Sequence, residues 1–426
     1  MFKNFSLSGN IYFSAFLRLL LVMGLFTICR LGFYLFNTNF FPQMTLGNFL
    51  YLLWGGLRFD TVAVLYINLL YILLIILPFN FRFNYGFQEI VKYIFFVTNG
   101  AGLGLNVFDF IYYKFTLRRT TADILQQFSN EEHMFKLFLQ FVADYWYALI
   151  FWILIVIVLV KLYHRFNYWG PQIKNKIAYY TGGIAFMPVV AFFVVVGIRG
   201  GVSHSVRPIT LSNAGEYVKD PKYVSIVLNT PFSFIRTIGQ TQVQKVNFYS
   251  ENELQKIYTP VHALNDTTGL KHDNVVVIIL ESFSKEFFGT FNKDKENGTY
   301  KGYTPFLDSL IDHSLTFEYS FANGRKSIDG LPSVVASIPS LGVPYFLSPY
   351  SGDRINSLSS LLKEEGYHTS FFHGAPNGSM GFQAFMNLAG TDEYYGMTEY
   401  GNDDDFDGLW GIWDDKFFDF YAKKLK

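Results

Sequence analysis

Residues 146 to 162 read WYALIFWILIVIVLVKL, running from Trp146 to Leu162. Only Lys161 is charged, and no glycine or proline interrupts the run. A helix that crosses the hydrocarbon core of a bilayer needs about 20 mainly apolar residues. Taken as Tyr145 to Leu162, this stretch meets that need, and four others do too. They are Ile11 to Phe36, with Arg18 and Arg30 inside it; Thr61 to Pro78 (TVAVLYINLLYILLIILP); the glycine-rich Val91 to Tyr112; and Ile177 to Ile198, where Pro188 predicts a kink. Five such runs within the first 200 residues are too many for the buried helices of a water-soluble core. Trp54, Trp146, Trp152, Tyr145 and Tyr147 fall near span ends, as an aromatic belt would. The composition agrees: 50% of the residues are hydrophobic and 16% are charged, against roughly 25% charged in an average soluble protein. So much apolar surface excludes a disordered chain.

The formal net charge is zero, but it is a cancellation. Residues 1–250 hold 20 Lys and Arg against 9 Asp and Glu; residues 251–426 hold 14 against 25. Basic loops mark the cytoplasmic side of a membrane protein. Lys161, Arg165, Lys174 and Lys176 place the loop after the fourth span inside, so the chain after Arg199 lies outside and the N-terminus, with Lys3, inside. The segment from Lys114 to Ala143 dissents, because it carries Lys114, Arg118, Arg119 and Lys136 on the outer side. Two readings stay open for it: basic side chains holding anionic lipid head groups, or a plain interfacial helix. Cys29 is the lone cysteine, so neither a disulfide nor a Cys-based zinc site forms within the chain; it reads as a small buried hydrophobe.

Three segments follow from this texture: a membrane domain over 1–200, a linker with short helices over 201–251, and an α/β domain over 252–426. The linker carries Arg207, Lys219, Lys222 and Arg236, with Arg199 just before it. In the last segment, Asn274 to Phe283 (NVVVIILESF) predicts a strand buried on both faces of a parallel sheet, ending on Glu281. Ligands of open α/β sheets bind beyond the carboxyl ends of the strands, which makes Glu281 a functional candidate; a capping or salt-bridged acid is the bland alternative. Pro305 starts a helix, and LTFEYSFA predicts a short strand. Asp312 and His313 read as a solvated helix end. Next, Asn323 and Gly324 make a turn, Arg325 and Lys326 bring two positive charges, and Ser327 opens a helical run. Free backbone N–H groups and the helix dipole suit an anion there, although Ser327 also reads as a simple cap. A second βα unit ends its strand at His373 and Gly374. The acidic run with Asp403, Asp404, Asp405 and Asp407 lacks the spacing of a calcium loop and reads as exposed.

Glu281 and Ser327 carry a resemblance. The motifs NVVVIILESFS, NGRKSIDGLPSVVASIPSL, FFHGAPNGSMGF and FDGLWGIWDDKFFDFYAKKL, behind five spans and a linker, resemble the lipoteichoic acid synthase group. These are membrane-anchored phosphoglycerol transferases of the alkaline phosphatase and sulfatase superfamily. The resemblance implies a five-helix transmembrane domain joined to an extracytoplasmic sulfatase-like α/β domain, in a bacterial cytoplasmic membrane. It implies a divalent metal, manganese or magnesium with zinc as the alternative, held by Glu281 and Ser327. It implies Ser327 as nucleophile, Lys326 offsetting transition-state charge, and His373, Arg325 and Asn323 as substrate contacts. The donor would be a membrane phospholipid and the acceptor a glycan or glycerol phosphate, with no nucleic acid involved. A phosphoethanolamine transferase or phosphodiesterase, and an inactive lipid-binding scaffold, are the alternatives.

Three departures qualify it. Serine stands where the synthases usually have threonine. Ala375, Pro376 and Asn377 follow His373-Gly374 where the group has Asp, Trp and Arg, which weakens glycerol-phosphate specificity. No Asp-His pair follows Ser327, so the expectation is a chain that lacks the last part of the domain. The sulfatase signature, Cys or Ser followed by x-Pro-x-Arg, is absent at Ser327, which argues against a formylglycine sulfatase.

Overall fold

The computed structural model describes residues 7–125, 140, 142–202, 208–240, 247–259, 271–317, 319–340 and 343–425. Lys3, Lys136, Arg207 and Leu341, all invoked above, lie outside the described residues. The chain divides into two compact units, Met1–Gln242 with Pro332–Lys426, and Val243–Leu331.

The first unit opens with helices long and apolar enough to cross a membrane: α1 (Ile11–Phe36), α2 (Leu46–Ile67), α4 (Tyr85–Thr116), α5 (Trp146–Tyr163) and α6 (Lys176–Arg199). A short α3 (Leu69–Ile76) follows α2 directly. Polar caps start them where the sequence turns from polar to apolar: Asn10 accepts from the Phe13 N–H, Thr45 from Asn48 and Asn175 from Ala178. At the other end of α6, Gly200 takes the left-handed conformation that closes a helix, with φ +88°. Cys29 is buried, and Pro188 sits inside α6 without ending it.

Two expectations change. The second run starts as a helix at Leu46, well before Thr61, and breaks at Asn68. The break has a partner: the carboxamides of Asn68 and Asn99 exchange hydrogen bonds of 2.9 and 2.8 Å. Deep among apolar helices such a reciprocal pair satisfies groups that hydrocarbon cannot. Trp152 does not join an interfacial belt, because its indole N–H donates to the Gly100 carbonyl at 2.9 Å. Trp54 and Trp146 are exposed, 71% and 59%.

Glycines set how α6 lies on α2 and on the segment after α3. A Cβ on Gly183 would stand 2.4 Å from Pro78, one on Gly197 would stand 2.5 Å from Leu65, and one on Gly200 would stand 3.3 Å from the Arg58 guanidinium. The two segments therefore run antiparallel. A two-stranded parallel sheet, β1 (Leu7–Gly9) with β2 (Phe166–Tyr168), ties the start of α1 to the end of α5.

After α6 the chain folds back onto the bundle. A 3-10 helix (Leu211–Tyr217), α7 (Val224–Val227) and α8 (Thr230–Thr237) carry a buried apolar face including Ile226, Val227 and Phe232. Their polar atoms meet two buried ion pairs. Arg30 binds both oxygens of Asp60 at 2.6 Å and donates to the Ile226 and Val227 carbonyls, while Asn229 donates to Asp60. Arg119 lies 3.9 Å from Asp109, over the Phe33 ring, and donates to the Ser225 carbonyl. Burial pulls the Arg119 pKa down to about 10, so it stays protonated at neutral pH. Arg118 pairs with Asp123 at 2.6 Å and with Asp353 at 3.7 Å. The guanidinium groups of Arg118 and Arg119 are engaged by carboxylates and by the returning chain, while Lys114 is exposed and Lys136 lies outside the described residues.

The remainder of this unit packs on the returned segment. Helix α13 (Phe382–Leu388) lies against the 3-10 helix, where Asn387 donates to the Gly215 carbonyl and a Cβ on Gly215 would meet the Ala384 carbonyl at 2.5 Å. Strands β3 (Ser370–Phe372) and β4 (Glu393–Tyr395) pair in parallel on either side of α13.

The second unit departs most from expectation. Asn274 to Phe283 forms no strand, and Val275 to Leu280 are 40–58% exposed. A strand exists only through its neighbours' hydrogen bonds, and among the described residues none pairs with this run. LTFEYSFA likewise forms no strand among its described residues. The helix begun by Pro305 is present, as α10 (Pro305–Ile311).

Removing one partner of a buried ion pair strands the other charge, at a cost of about 3–5 kcal/mol. Asp60→Ala is therefore expected to lower the thermal unfolding midpoint of the protein in nanodiscs sharply. Gly56→Ala should act in the same direction, because its Cβ would stand 2.4 Å from the Arg30 guanidinium carbon. An unchanged midpoint in Asp60→Ala would contradict the anchoring role of this pair.

Candidate active site

The second unit joins two of the candidate residues. The apolar run Val275–Leu280 delivers Glu281, and the next residue, Ser282, sits at φ +62°. A left-handed non-glycine residue is uncommon and is held only when its surroundings require it. Here it turns the chain immediately after the carboxylate. Forty-six positions later, Ser327 opens helix α11 (Ser327–Ala336). The first turn closes through the N–H groups of Asp329 and Gly330, which donate to the Lys326 carbonyl at 2.9 and 3.1 Å. The Ser327 hydroxyl donates to Oε2 of Glu281.

Gly324 shapes the approach to this helix. Its φ is +103°, and a Cβ there would stand 2.4 Å from the Cβ of Asp329. Both facts require glycine, since the obstructing atom is tied to the helix backbone. Asn323, Arg325 and Lys326 are exposed in the same turn, while Ile328 and Asp329 are buried. The result is a half-buried hydroxyl against a carboxylate, with two cationic side chains next to it in the chain. Ser282 and Asp329 were not read as site residues from sequence; their clues were a strand-end acid followed by a turn, and an acid in the first turn of a helix.

A carboxylate accepting from a hydroxyl can take its proton, or the two oxygens can bind one cation together. Hard oxygen donors of this kind fit magnesium or manganese. Among the described residues no group of three or more His, Cys, Asp or Glu side chains gathers that could hold a metal. Glu281 and Ser327 by themselves would offer a cation two side chains, fewer than a complete coordination shell needs.

His373 belongs to the first unit. It follows β3, at the carboxyl end of that strand, and its N–H donates to the Tyr395 carbonyl at 2.9 Å. Its ring lies 4.9 Å from that of Phe382, and Nδ1 stands 3.4 Å from the Tyr394 hydroxyl. Burial pushes the Tyr394 phenol up, so it stays neutral. The loop behind His373 is pinned: Asn377 donates to both oxygens of Glu399 at 3.1 and 2.9 Å and accepts from the Thr398 N–H. Further on, Asp407 Oδ1 accepts from the N–H groups of Leu409, Trp410 and Gly411. The Leu409 N–H beside it, then those of Trp410 and Gly411, hold its carboxyl below the usual range. That carboxylate is therefore the hub of a turn.

Residues 273–426 match the sulfatase family. A lipoteichoic acid synthase-like protein, YvgJ of Bacillus subtilis (strain 168), is 26% identical over 159 residues. The match covers 37% of this chain and 25% of the relative, so the chain spans about a quarter of that protein's length. No solved structure gives a significant match. Over the segment that brings Glu281 to Ser327, behind five membrane-capable helices, the chain resembles the lipoteichoic acid synthase group of the alkaline phosphatase and sulfatase superfamily.

Proposed function

We propose that the protein is a membrane-bound enzyme that moves a phospho-head group, phosphoglycerol or a close analogue, from a phospholipid to an acceptor alcohol. The observation that carries this reading is the hydrogen bond from the Ser327 hydroxyl to Glu281 at the start of α11. In the first half-reaction Ser327 Oγ attacks phosphorus and gives up its proton, with Glu281 placed to receive it. The bond from phosphorus to the diacylglycerol oxygen breaks, and that oxygen leaves protonated. In the second, the acceptor hydroxyl attacks the phosphoserine ester and Ser327 regains its proton. Arg325 and Lys326 offset the charge that builds on the phosphoryl oxygens. Held by Glu281 and Ser327, a divalent cation would lower the hydroxyl pKa and polarise the phosphoryl group. The resemblance, rather than any distance, brings His373 and Asn323 into the reading as head-group contacts. The resemblance also supports the placement of this segment on the outer face of a bacterial cytoplasmic membrane, with a glycan or glycerol phosphate as acceptor.

One observation favours a second head group. Between His373 and Phe382 there is no cationic side chain, and Asn377 is engaged by Glu399. A head group bearing an amine, such as phosphoethanolamine, would meet less repulsion there than beside an arginine.

Turnover of phosphatidylglycerol by the full-length protein in vesicles tests the reading. Ser327→Ala is expected to lower kcat by roughly 10³-fold or more, the scale seen when a nucleophile is removed. Unchanged turnover would remove Ser327 from the chemistry. Glu281→Gln should lower kcat similarly, and chelation by EDTA should abolish activity that manganese or magnesium restores. Gly324→Ala should cost kcat more than KM, because it displaces the turn carrying Lys326 while leaving the membrane domain intact; equal effects on both would argue against that.

A further inference from the structure

Glu281 meets Ser327 from a chain that is anchored on both sides of the pair. Ser327 is fixed by the first turn of α11, where the Asp329 and Gly330 N–H groups donate to the Lys326 carbonyl, and by Gly324 packed close against Asp329. Past Glu281, fixed structure resumes in a 3-10 helix over Lys285–Phe287. The buried carboxamide of Asn292 donates to the Lys285 and Phe288 carbonyls, each at 2.7 Å. The Tyr303 N–H donates to the Phe287 carbonyl at 2.7 Å, and Phe288 and Gly302 pair as an antiparallel bridge. Asp308 on α10 accepts from the N–H groups of Gly289 and Thr290 at 3.2 and 2.8 Å. Clearance there is tight as well, since a Cβ on Gly289 would stand 2.5 Å from the Lys301 carbonyl oxygen. Only Ser282, Phe283 and Ser284 lie between Glu281 and this anchored helix.

Three residues leave few ways to join a placed carboxylate to a fixed helix. Ser282 alone of the three has a positive φ, +62°, whereas Ser284 is extended at −90°. Ser282 is exposed, and among the described residues nothing bonds to its hydroxyl. A left-handed L residue is held there by its own contacts or by the chain on either side. The side chain supplies no such contact, so the requirement comes from the two anchors. We propose that Ser282 is a positioning residue for the reaction at Ser327: its left-handed backbone, and not its hydroxyl, aims the Glu281 carboxylate at the nucleophile. The inference rests on the reading of Ser327 as nucleophile and Glu281 as its base, and deepens it. An extended Ser282 would send the chain from Glu281 in another direction, and the anchored helix would draw the carboxylate away from Ser327 Oγ. Proton transfer needs the two oxygens within hydrogen-bond reach, so the attack is lost and lipid binding is not.

Steady-state turnover of phosphatidylglycerol by the full-length protein in vesicles, measured for a series at position 282, separates backbone from side chain. Glycine and asparagine both populate the left-handed region, so Ser282→Gly and Ser282→Asn should hold most of kcat. A β-branched residue is an outlier there, and Ser282→Val should lower kcat by roughly 10²-fold, the scale of a 1 Å misplacement, with KM little changed. Ser282→Ala, which removes the hydroxyl and keeps the Cβ, should fall between glycine and valine. Ser327→Ala in the same vesicles tells the two possible failures apart. With Ser327→Ala inactive, a Ser282→Val variant as fast as the wild type, or a Ser282→Gly variant as slow as Ser282→Val, overturns the role of Ser282 alone. An active Ser327→Ala removes the reading on which that role rests, and the role with it. If Ser282→Val does not fold, the pair Ser282→Gly and Ser282→Ala decides: a higher kcat for glycine supports the backbone role, and an equal or lower one overturns it.

Discussion

The structure of the first unit depends on the pairing of Arg30 with Asp60. Both side chains are buried among apolar helices, where an uncompensated charge is very costly. Asp60 neutralises Arg30, but a guanidinium has five donors, and the rest go to carbonyls of the returning chain, Ile226 and Val227 among them. Asn229 completes the carboxylate. The pair therefore demands that the segment after α6 fold back into the bundle, and that segment then carries α13. Arg119 with Asp109 repeats the device one helix away, through Ser225 and Thr230. Charges inside membrane-spanning sequences are costly, and those of Arg30, Asp60 and Asp109 are satisfied in part by contacts that hold the returning chain on the bundle.

How much of this could be read from the sequence follows from what each signal measures. Length and hydropathy are local, so the five long helices were legible, with α1 at Ile11–Phe36 as read. The break at Asn68 was not, because it depends on Asn99 on another helix. Arg118 and Arg119 announce their charge in the sequence, while what engages them, Asp123 and Asp353 for the first and Asp109 with the Ser225 carbonyl for the second, shows only in the fold. The run NVVVIILESF shows the opposite failure. Its composition speaks for a strand, but a strand is a property of a pair, and the described residues supply no second member.

The candidate site was legible to the extent that it is made of local chemistry. A strand-like run ending on Glu281 and a turn ending on Ser327 each carried a weak signal, and the structure brings them into one hydrogen bond. Asp329 was missed because its role against Gly324 is steric, and sequence shows charge more readily than clearance. His373 was placed at a strand end and is found there, while the pinning of its loop by Glu399 had no sequence signature.

The central claim is that Ser327 carries the head group between donor and acceptor. Peptide mass spectrometry of the full-length protein, quenched during turnover of phosphatidylglycerol without an acceptor, tests it most directly. The account predicts a glycerophosphoryl adduct on the peptide containing Ser327, released when an acceptor alcohol is added. An adduct on a different residue, or steady turnover with Ser327 unmodified throughout, would contradict it.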